Sequence, residues 1–343
     1  MRKFNVAVVG ATGAVGEELF RVMEEVDFPV GELLPLASAK SAGTEIEFKG
    51  KNYKVVELTE TVFDKHEIDI AFFSAGGSVS EKYAKFAAAS GAVVIDNTSH
   101  FRMDADVPLV VPECNPQDIA QWKNRGIIAN PNCSTIQMVQ ILKPLDDAYG
   151  INRVDVSTYQ AASGAGKEGM EELVTQLQKF FEFKLDECEP KVFAHQLAFN
   201  VIPHIDVFLD NDYTKEEMKM VNETQKILHK NFAVSATCVR VPVLRSHSEA
   251  ITIKFKKDFE ISRVREILRN APSIVLVDDP SKKQYPMPLL SSDTNETYVG
   301  RLRRDNFDDK ILHLWCSADQ IRVGAATNAV RIALRWIDMQ QDK

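Results

Sequence analysis

The chain has 343 residues, 45% of them hydrophobic and 26% charged, and a formal net charge of −8 at pH 7. That length calls for two domains with separate cores, and the acidic balance without a long basic run excludes nucleic acid or an anionic membrane surface as the main partner. Five scattered cysteines, Cys114, Cys133, Cys188, Cys238 and Cys316, form no close pair, so neither a disulfide framework nor a metal site is expected. The opening MRKFNVAVVGATGAVGEE is broken by glycines and followed at once by Glu17 and Glu18, unlike a signal peptide. No apolar run approaches the roughly 20 residues of a membrane span, so a cytoplasmic protein is expected.

Residues 4–9, FNVAVV, read as a strand buried on both faces of a parallel sheet. They lead through Gly10-Ala-Thr12-Gly13-Ala14-Val15-Gly16 into the helical pattern EELFRVMEE. Strand, glycine turn and helix follow in the order a dinucleotide pyrophosphate requires: glycines admit close approach, and the helix N-terminus faces the negative charge. After the next strand, LLPLAS, an NAD enzyme would place Asp or Glu. Here the chain runs Ser38-Ala-Lys40-Ser41. Hydroxyls and a cation there suit a 2′-phosphate, which makes NADP the expected cofactor. The runs IDIAFFSA (68–75) and AVVIDNTS (92–99) flank the amphipathic stretch SEKYAKFAAAS, so strand and helix keep alternating and predict a doubly wound sheet. Arg102 lies just past the second of these strand ends and is a candidate phosphate ligand.

In NPNCSTIQ (130–137), Pro131 and the capping types Asn132 and Ser134 put Cys133 at the start of a helical pattern. Backbone N–H groups there stabilise a thiolate; a nucleophile and a buried inert thiol both fit. STYQAASGAGKEG (157–169) enters a run of small residues, Ala161 to Gly166, that lets a cofactor ring or substrate lie close to backbone. CVRVPVLRSHSEAITIKF (238–255) sets Arg240 and Arg245 beside His247. An arginine clamps a carboxylate in a bidentate fork, and a histidine near neutrality moves protons. HSEAITIKF and DDKILHLWCSADQIRVG read as strands of an α+β domain, and KEEMKMVNETQKILHKN as an amphipathic helix. The proline-rich PSKKQYPMPLLSS (280–292) reads as a covering loop, and GAATNAVRIALRWIDMQ as a closing helix after Gly324.

GATGAVG, LASAKSAG, NPNCSTIQ, YQAASGAG, RVPVLRSHSEA and IRVGAATNAVRIA, together and in this order, resemble the aspartate-β-semialdehyde dehydrogenase family over nearly the whole chain. The resemblance implies a Rossmann-type α/β domain with a doubly wound parallel sheet, residues 1–130 and 325–343, made discontinuous by the closing helix. It implies an α+β substrate and dimerisation domain, residues 131–324, like the C-terminal domain of glyceraldehyde-phosphate dehydrogenase. The implied reaction is the NADPH-dependent reductive dephosphorylation of L-β-aspartyl phosphate, on the way to lysine (through diaminopimelate), methionine and threonine. By matching motif, Cys133 would be the nucleophile, forming a thioester that hydride then reduces. His247 would be the general acid/base and Gln160 would orient the substrate carbonyl. Arg240 would pair with the substrate carboxylate and Glu216 with its ammonium, while Lys219, Arg102 and Asn132 would bind the phosphate. The cofactor would lie on Gly10, Thr12, Gly13, Ala14, Val15, Gly16, Ser38, Lys40 and Ser41, with Ser163, Gly164 and Asn328 towards the nicotinamide. The family commonly has Arg where this chain has Lys40, which keeps the charge and loses the fork. Homodimers or tetramers are implied, and the other four cysteines with His195, His204, His229 and His313 are left as structural.

Two relatives fit less well. N-acetyl-γ-glutamyl-phosphate reductase shares the chemistry, but its nucleophile follows Pro-Gly and SHSEA does not suit it; the Ser-Cys-Thr-Thr of glyceraldehyde-phosphate dehydrogenase is absent. A catalytically inactive NADP-binding regulatory protein would have no need to keep Cys133, Gln160, Arg240 and His247 together.

Overall fold

The computed structural model describes residues 2–341; Met1 and residues 342–343, placed in the first domain from the sequence, lie outside them. The chain divides into two compact units, residues up to Asn132 with those from Ala325 on, and Cys133–Gly324. Among the described residues no helix is long and apolar enough to cross a membrane.

The first unit runs β1 (Phe4–Val9), α1 (Ala14–Glu25), β2 (Val30–Ala37), the hairpin β3 (Glu45–Phe48) and β4 (Lys51–Lys54), β5 (Val56–Glu57), β6 (Ile70–Phe73), α2 (Gly77–Ala89), β7 (Val93–Asp96) and β8 (Ile127–Ala129). Six strands, all parallel, stand in the order β5-β2-β1-β6-β7-β8. Strand order reverses between β1 and β6, the place where doubly wound sheets bind ligands. Every residue of β6 and β7 is buried, as expected of strands covered on both faces. The closing helix, Thr327–Gln341, sends Val330, Ala333, Trp336 and Ile337 into this same core. Trp336 meets the rings of Phe4 and Trp122 edge-on; emptying such a site costs about 3–5 kcal/mol.

The second unit runs α3 (Cys133–Tyr149), β9 (Ile151–Gln160), α4 (Gly166–Phe181), α5 (Lys215–Leu228), β10 (Ala233–Arg240), β11 (His247–Phe255), α6 (Ile261–Asn270), β12 (Ile274–Leu276), α7 (Pro288–Ser291), β13 (Thr297–Arg304) and β14 (Ile311–Ala318). Its sheet is mixed, in the order β10-β9-β11-β14-β13-β12, and α3 and α5 pack against one face. The strands alternate buried and less buried positions, as a sheet with one covered face does. Register brings the covered residues into cross-strand rows. Ala236, Val156, Ile251 and Leu314 form an apolar row, and Cys238, Thr158, Glu249 and Cys316 a polar one. One step further come Arg240, Gln160, His247 and Ala318, where the strands end or begin.

One expectation changes. The segment 280–292 is not wholly irregular: Pro280–Lys282 forms a 3-10 turn and Pro288–Ser291 a single helical turn, each with proline at its start. Helix α3 has no single apolar stripe, since Ser134–Leu142 are buried without interruption, the pattern of a helix covered all round.

Candidate active site

Cys133 is the first residue of α3 and half-buried, at the end of the helix where the positive pole of its dipole favours a thiolate. The α-carbon of Gly324 packs directly on it: a methyl group there would collide with Cys133 Cβ and lie 2.9 Å from Cys133 Cα. Gly324 is thus part of the cysteine's housing, a role the sequence reading did not give it. A lone glycine before a helix is the only trace of it in the chain.

The row across β10, β9 and β11 supplies the rest. His247 is fully buried, and the Ala161 N–H donates to its Nδ1 at 2.9 Å, which leaves the single hydrogen of the neutral ring on Nε2. Burial and the neighbouring Arg240 push its pKa down to about 3. Gln160 accepts from the Thr158 hydroxyl at 3.0 Å and donates to Glu216 at 3.1 Å. Those bonds fix the amide's orientation, with Nε2 3.5 Å from His247 Nε2. Arg240 donates to the Ala161 carbonyl at 2.6 Å, and its guanidinium lies 5.6 Å from the centre of the Phe193 ring. It lines a cavity of about 350 Å³ together with Phe193, His204 and Asp206. His204, left as structural from the sequence, therefore faces this cavity. Gly164 has its α-carbon against Arg240 and His247: a methyl group there would come within 2.7 Å of Arg240 Nη1 and 3.2 Å of His247 Nε2.

Glu216 and Lys219 do not sit on a solvated helix face. A capping box starts α5: Thr214 Oγ1 accepts the Glu217 N–H at 3.3 Å, and Glu217 accepts the Thr214 N–H at 2.7 Å. This start turns the buried Glu216 towards Gln160 and towards Lys219, 2.9 Å away. Lys219 also pairs with Asp206 at 2.8 Å. Burial alone would lower the Lys219 ammonium, but Glu216 and Asp206 outweigh it and hold the pKa above its ordinary value. Arg245 does not share Arg240's position: it pairs with Asp319 at 2.6 Å and Asp293 at 2.8 Å, which makes it a loop clamp. Ser163 accepts a hydrogen bond from the Gln320 amide.

In the first unit the glycine turn has the form a pyrophosphate needs. Gly10 sits at φ +88°, where a methyl group would come within 3.0 Å of the Ser74 backbone, and at Gly16 one would strike the Gly10 carbonyl. Gly13 caps α1 without a side chain, and Ala14, Val15 and Gly16 form the first turn, whose N–H groups face outward from the helix. Ser38, Lys40 and Ser41 form a turn at the end of β2, with Ser38 and Lys40 exposed and the Ser41 N–H on the Ser38 carbonyl at 2.9 Å. Thr12 Oγ1 lies 3.4 Å from Ser41 Oγ, joining this turn to the glycine turn. Arg102 donates to the carbonyls of Asn130 and Asn97, each at 2.9 Å, and Asn132 is buried. Asn328 donates to the Val110 carbonyl at 3.0 Å and to Asn130 Oδ1 at 2.6 Å, leaving its own buried Oδ1 without a partner. The amide of Asn97, at the end of β7, is buried with neither atom bonded. Orphaned polar atoms at the carboxyl ends of these strands fit a bound nucleotide; Asn97 lies in the polar end of the run 92–99, and no local signal in the sequence singles it out from its neighbours. Among the described residues no three His, Cys, Asp or Glu side chains are grouped so as to hold a metal ion.

Comparison with known proteins gives a consistent result. Residues 5–122 match the model of the semialdehyde dehydrogenase NAD binding domain, and residues 142–323 that of the semialdehyde dehydrogenase dimerisation domain. The chain is 73% identical over 339 residues to the aspartate-semialdehyde dehydrogenase of Campylobacter jejuni, covering 99% of both chains. It is 55% identical to that of Helicobacter pylori strain J99, covering 98% of this chain and 99% of the other. Among solved structures, aspartate semialdehyde dehydrogenase II of Vibrio cholerae complexed with ASA superposes with a TM-score of 0.95 at 47% identity, over 98% of this chain and 99% of that one.

Proposed function

Because the chain belongs to the aspartate-semialdehyde dehydrogenase family, we propose that it reduces L-β-aspartyl phosphate to L-aspartate-β-semialdehyde with NADPH, through a thioacyl-enzyme on Cys133. The observation that carries the reading is the row of Arg240, Gln160 and His247 at the strand ends of the second unit, which also holds Cys133 at a helix start.

The Cys133 thiolate attacks the acyl phosphate carbonyl; the carbon–sulfur bond forms, and the carbon–oxygen bond to phosphate breaks. Backbone N–H groups at the start of α3 stabilise the oxygen that gains charge. NADPH, when bound, supplies the hydride that converts the thioester to a hemithioacetal. The Nε2–H of His247 hydrogen-bonds the negative oxygen of the hemithioacetal while the ring keeps its proton; as the carbonyl re-forms, the carbon–sulfur bond breaks, releasing the aldehyde and the Cys133 thiolate. The neutral ring is a poor base while Arg240 stands beside it. A substrate carboxylate on Arg240 cancels that charge and raises the ring's proton affinity, so substrate binding itself prepares the acid/base group. Gln160, held from both sides by Thr158 and Glu216, orients the carbonyl, and Glu216 offers its carboxylate to the substrate ammonium. Arg102, Asn132 and Lys219 are assigned to the phosphate.

Thr12, the first turn of α1 and the Ser38–Ser41 turn would hold the nucleotide, with Lys40 on the 2′-phosphate; the lack of a carboxylate in that turn favours NADP over NAD. Asn328 and Asn97 would take the nicotinamide amide, with Ser163 and Gly164 beside the ring. The reading goes with a cytoplasmic homodimer. The matched dimerisation domain, and the outer face of the second sheet, where the tilted rings of Tyr159 and Trp315 have centroids 5.2 Å apart, support the homodimer.

The test is phosphate-dependent reduction of NADP by L-aspartate-β-semialdehyde, followed at the nicotinamide absorbance, for the wild type and Cys133→Ala. Activity in the first and none in the second is expected; an inactive wild type with both NADP and NAD would overturn the reading.

A further inference from the structure

Behind the reactive row lies a carboxyl group that the chemistry above does not use. Glu249 is wholly buried on β11, two residues from His247 and on the same strand face. Cys316 Sγ lies 3.7 Å from its Oε2, and Gln137 Nε2 lies 3.8 Å from the same sulfur. Gln137, also buried, stands four residues after Cys133 on α3, hence on the same helix face. Four residues of helix advance about 6 Å and two residues of strand about 6.6 Å. Glu249 and Gln137, joined through the Cys316 thiol, thus stand at similar distances along their elements from His247 and from Cys133.

We propose that Glu249 is a positioning residue, which sets the separation of Cys133 and His247 by tying β11 to α3 through Cys316 and Gln137. It does so as a neutral acid. Glu249 Oε1 and Gln137 Oε1 are both buried without a hydrogen-bond partner; a carboxylate brings no donor to this pocket, whereas a carboxylic acid brings one O–H. Burial holds its pKa well above the ordinary value, outweighing the opposite pull of hydrogen bonds from Cys316 and Gln137, neither of them a cation. The row that begins with Thr158 and Cys238 is thus polar for a reason: it is the inner support of the reactive row.

This rests on the dehydrogenase reading for its activity measurements, so a second readout needs no substrate. E249Q keeps an acceptor for Cys316 and a donor for Gln137, and is expected to retain kcat within about threefold. E249L fills similar space without either bond. A displacement of about 1 Å costs about 10²-fold in kcat, and that loss is expected with KM nearly unchanged. In both variants the pH dependence of Cys133 alkylation by iodoacetamide is followed. The inflection should move upward in E249L and stay in place in E249Q, whereas a merely structural role would lower the melting temperature and leave the inflection alone. Should E249L fail to fold, Q137M cuts the same link from the helix side. The infrared difference between wild type and E249Q at neutral pH should show the carbonyl band of a protonated acid. Carboxylate bands alone, or an E249L or Q137M enzyme with wild-type kcat and alkylation profile, would overturn the proposal. An inactive wild type with the alkylation shift intact would instead count against the dehydrogenase reading and leave the positioning role standing.

Discussion

His247 shows how a residue's surroundings reach into solution behaviour. Folded, its pKa is about 3, against 6.5 for an unperturbed ring, so between those values the unfolded chain binds a proton that the folded one refuses. Stability is then undiminished above about pH 6.5 and falls as pH drops, by about 1.4 kcal/mol per pH unit from this group. Subtracting the denaturation curve of H247N from that of the wild type should leave this slope; a flat difference would mean that the ring is not held neutral. The cysteines divide in the same manner. Burial and nearby carboxylates push the thiols of Cys238 and Cys316 up, so in the native protein iodoacetamide should modify Cys133 well before either. Peptide mapping that found Cys238 or Cys316 labelled first would refute the burial argument. Gly324→Ala forces a methyl group onto Cys133; overpacking costs about 1–3 kcal/mol, and kcat should fall about tenfold or more with little change in cofactor affinity.

Helix α5 carries a prediction of its own. Thr214→Ala removes one half of the capping box that starts it, at a cost of about 1 kcal/mol. Because that start aims Glu216 at Gln160, KM for the semialdehyde should rise more than kcat falls; an unchanged KM would separate the cap from the site. The elements show equally what could be read in advance. Strand β1, the glycine turn and α1 were legible because each step there has its own local signature: an apolar run, φ > 0 at Gly10, an amphipathic helix. Strands β6 and β7 were legible as continuous apolar runs. The hairpin of β3 and β4 was not, since its residues are mostly exposed and charged and alternate weakly. The polar row behind the site was invisible for a different reason: Thr158, Cys238, Glu249 and Cys316 come from four strands, and only register makes them neighbours. Resemblance supplied roles for Gln160 and Glu216, but their mutual hydrogen bond and their burial came with the fold. Arg240 and Arg245 looked alike in the chain; Asp319 and Asp293, far along it, decide that only the first faces the cavity.

At the scale of the molecule the chain forms two units, a parallel sheet with a glycine turn at a helix start and a mixed sheet whose strand ends carry Arg240, Gln160 and His247. Lys40→Glu places a carboxylate in the turn after β2, and should raise KM for NADP at least tenfold while leaving that for NAD nearly unchanged; equal effects on the two would remove Lys40 from the 2′-phosphate. Trp315→Glu on the outer face of the second sheet should shift a sedimentation profile from dimer towards monomer, and an unshifted dimer would place the interface elsewhere. The most direct measurement mixes the enzyme with L-aspartate-β-semialdehyde and NADP in the absence of phosphate, and follows NADPH in a stopped-flow instrument. One NADPH per active site should appear in a burst and then stop, with the aspartyl group held on Cys133, and added phosphate should restart turnover. Steady turnover that ignores phosphate, or no burst while phosphate-dependent turnover persists, would contradict a thioacyl-enzyme on Cys133.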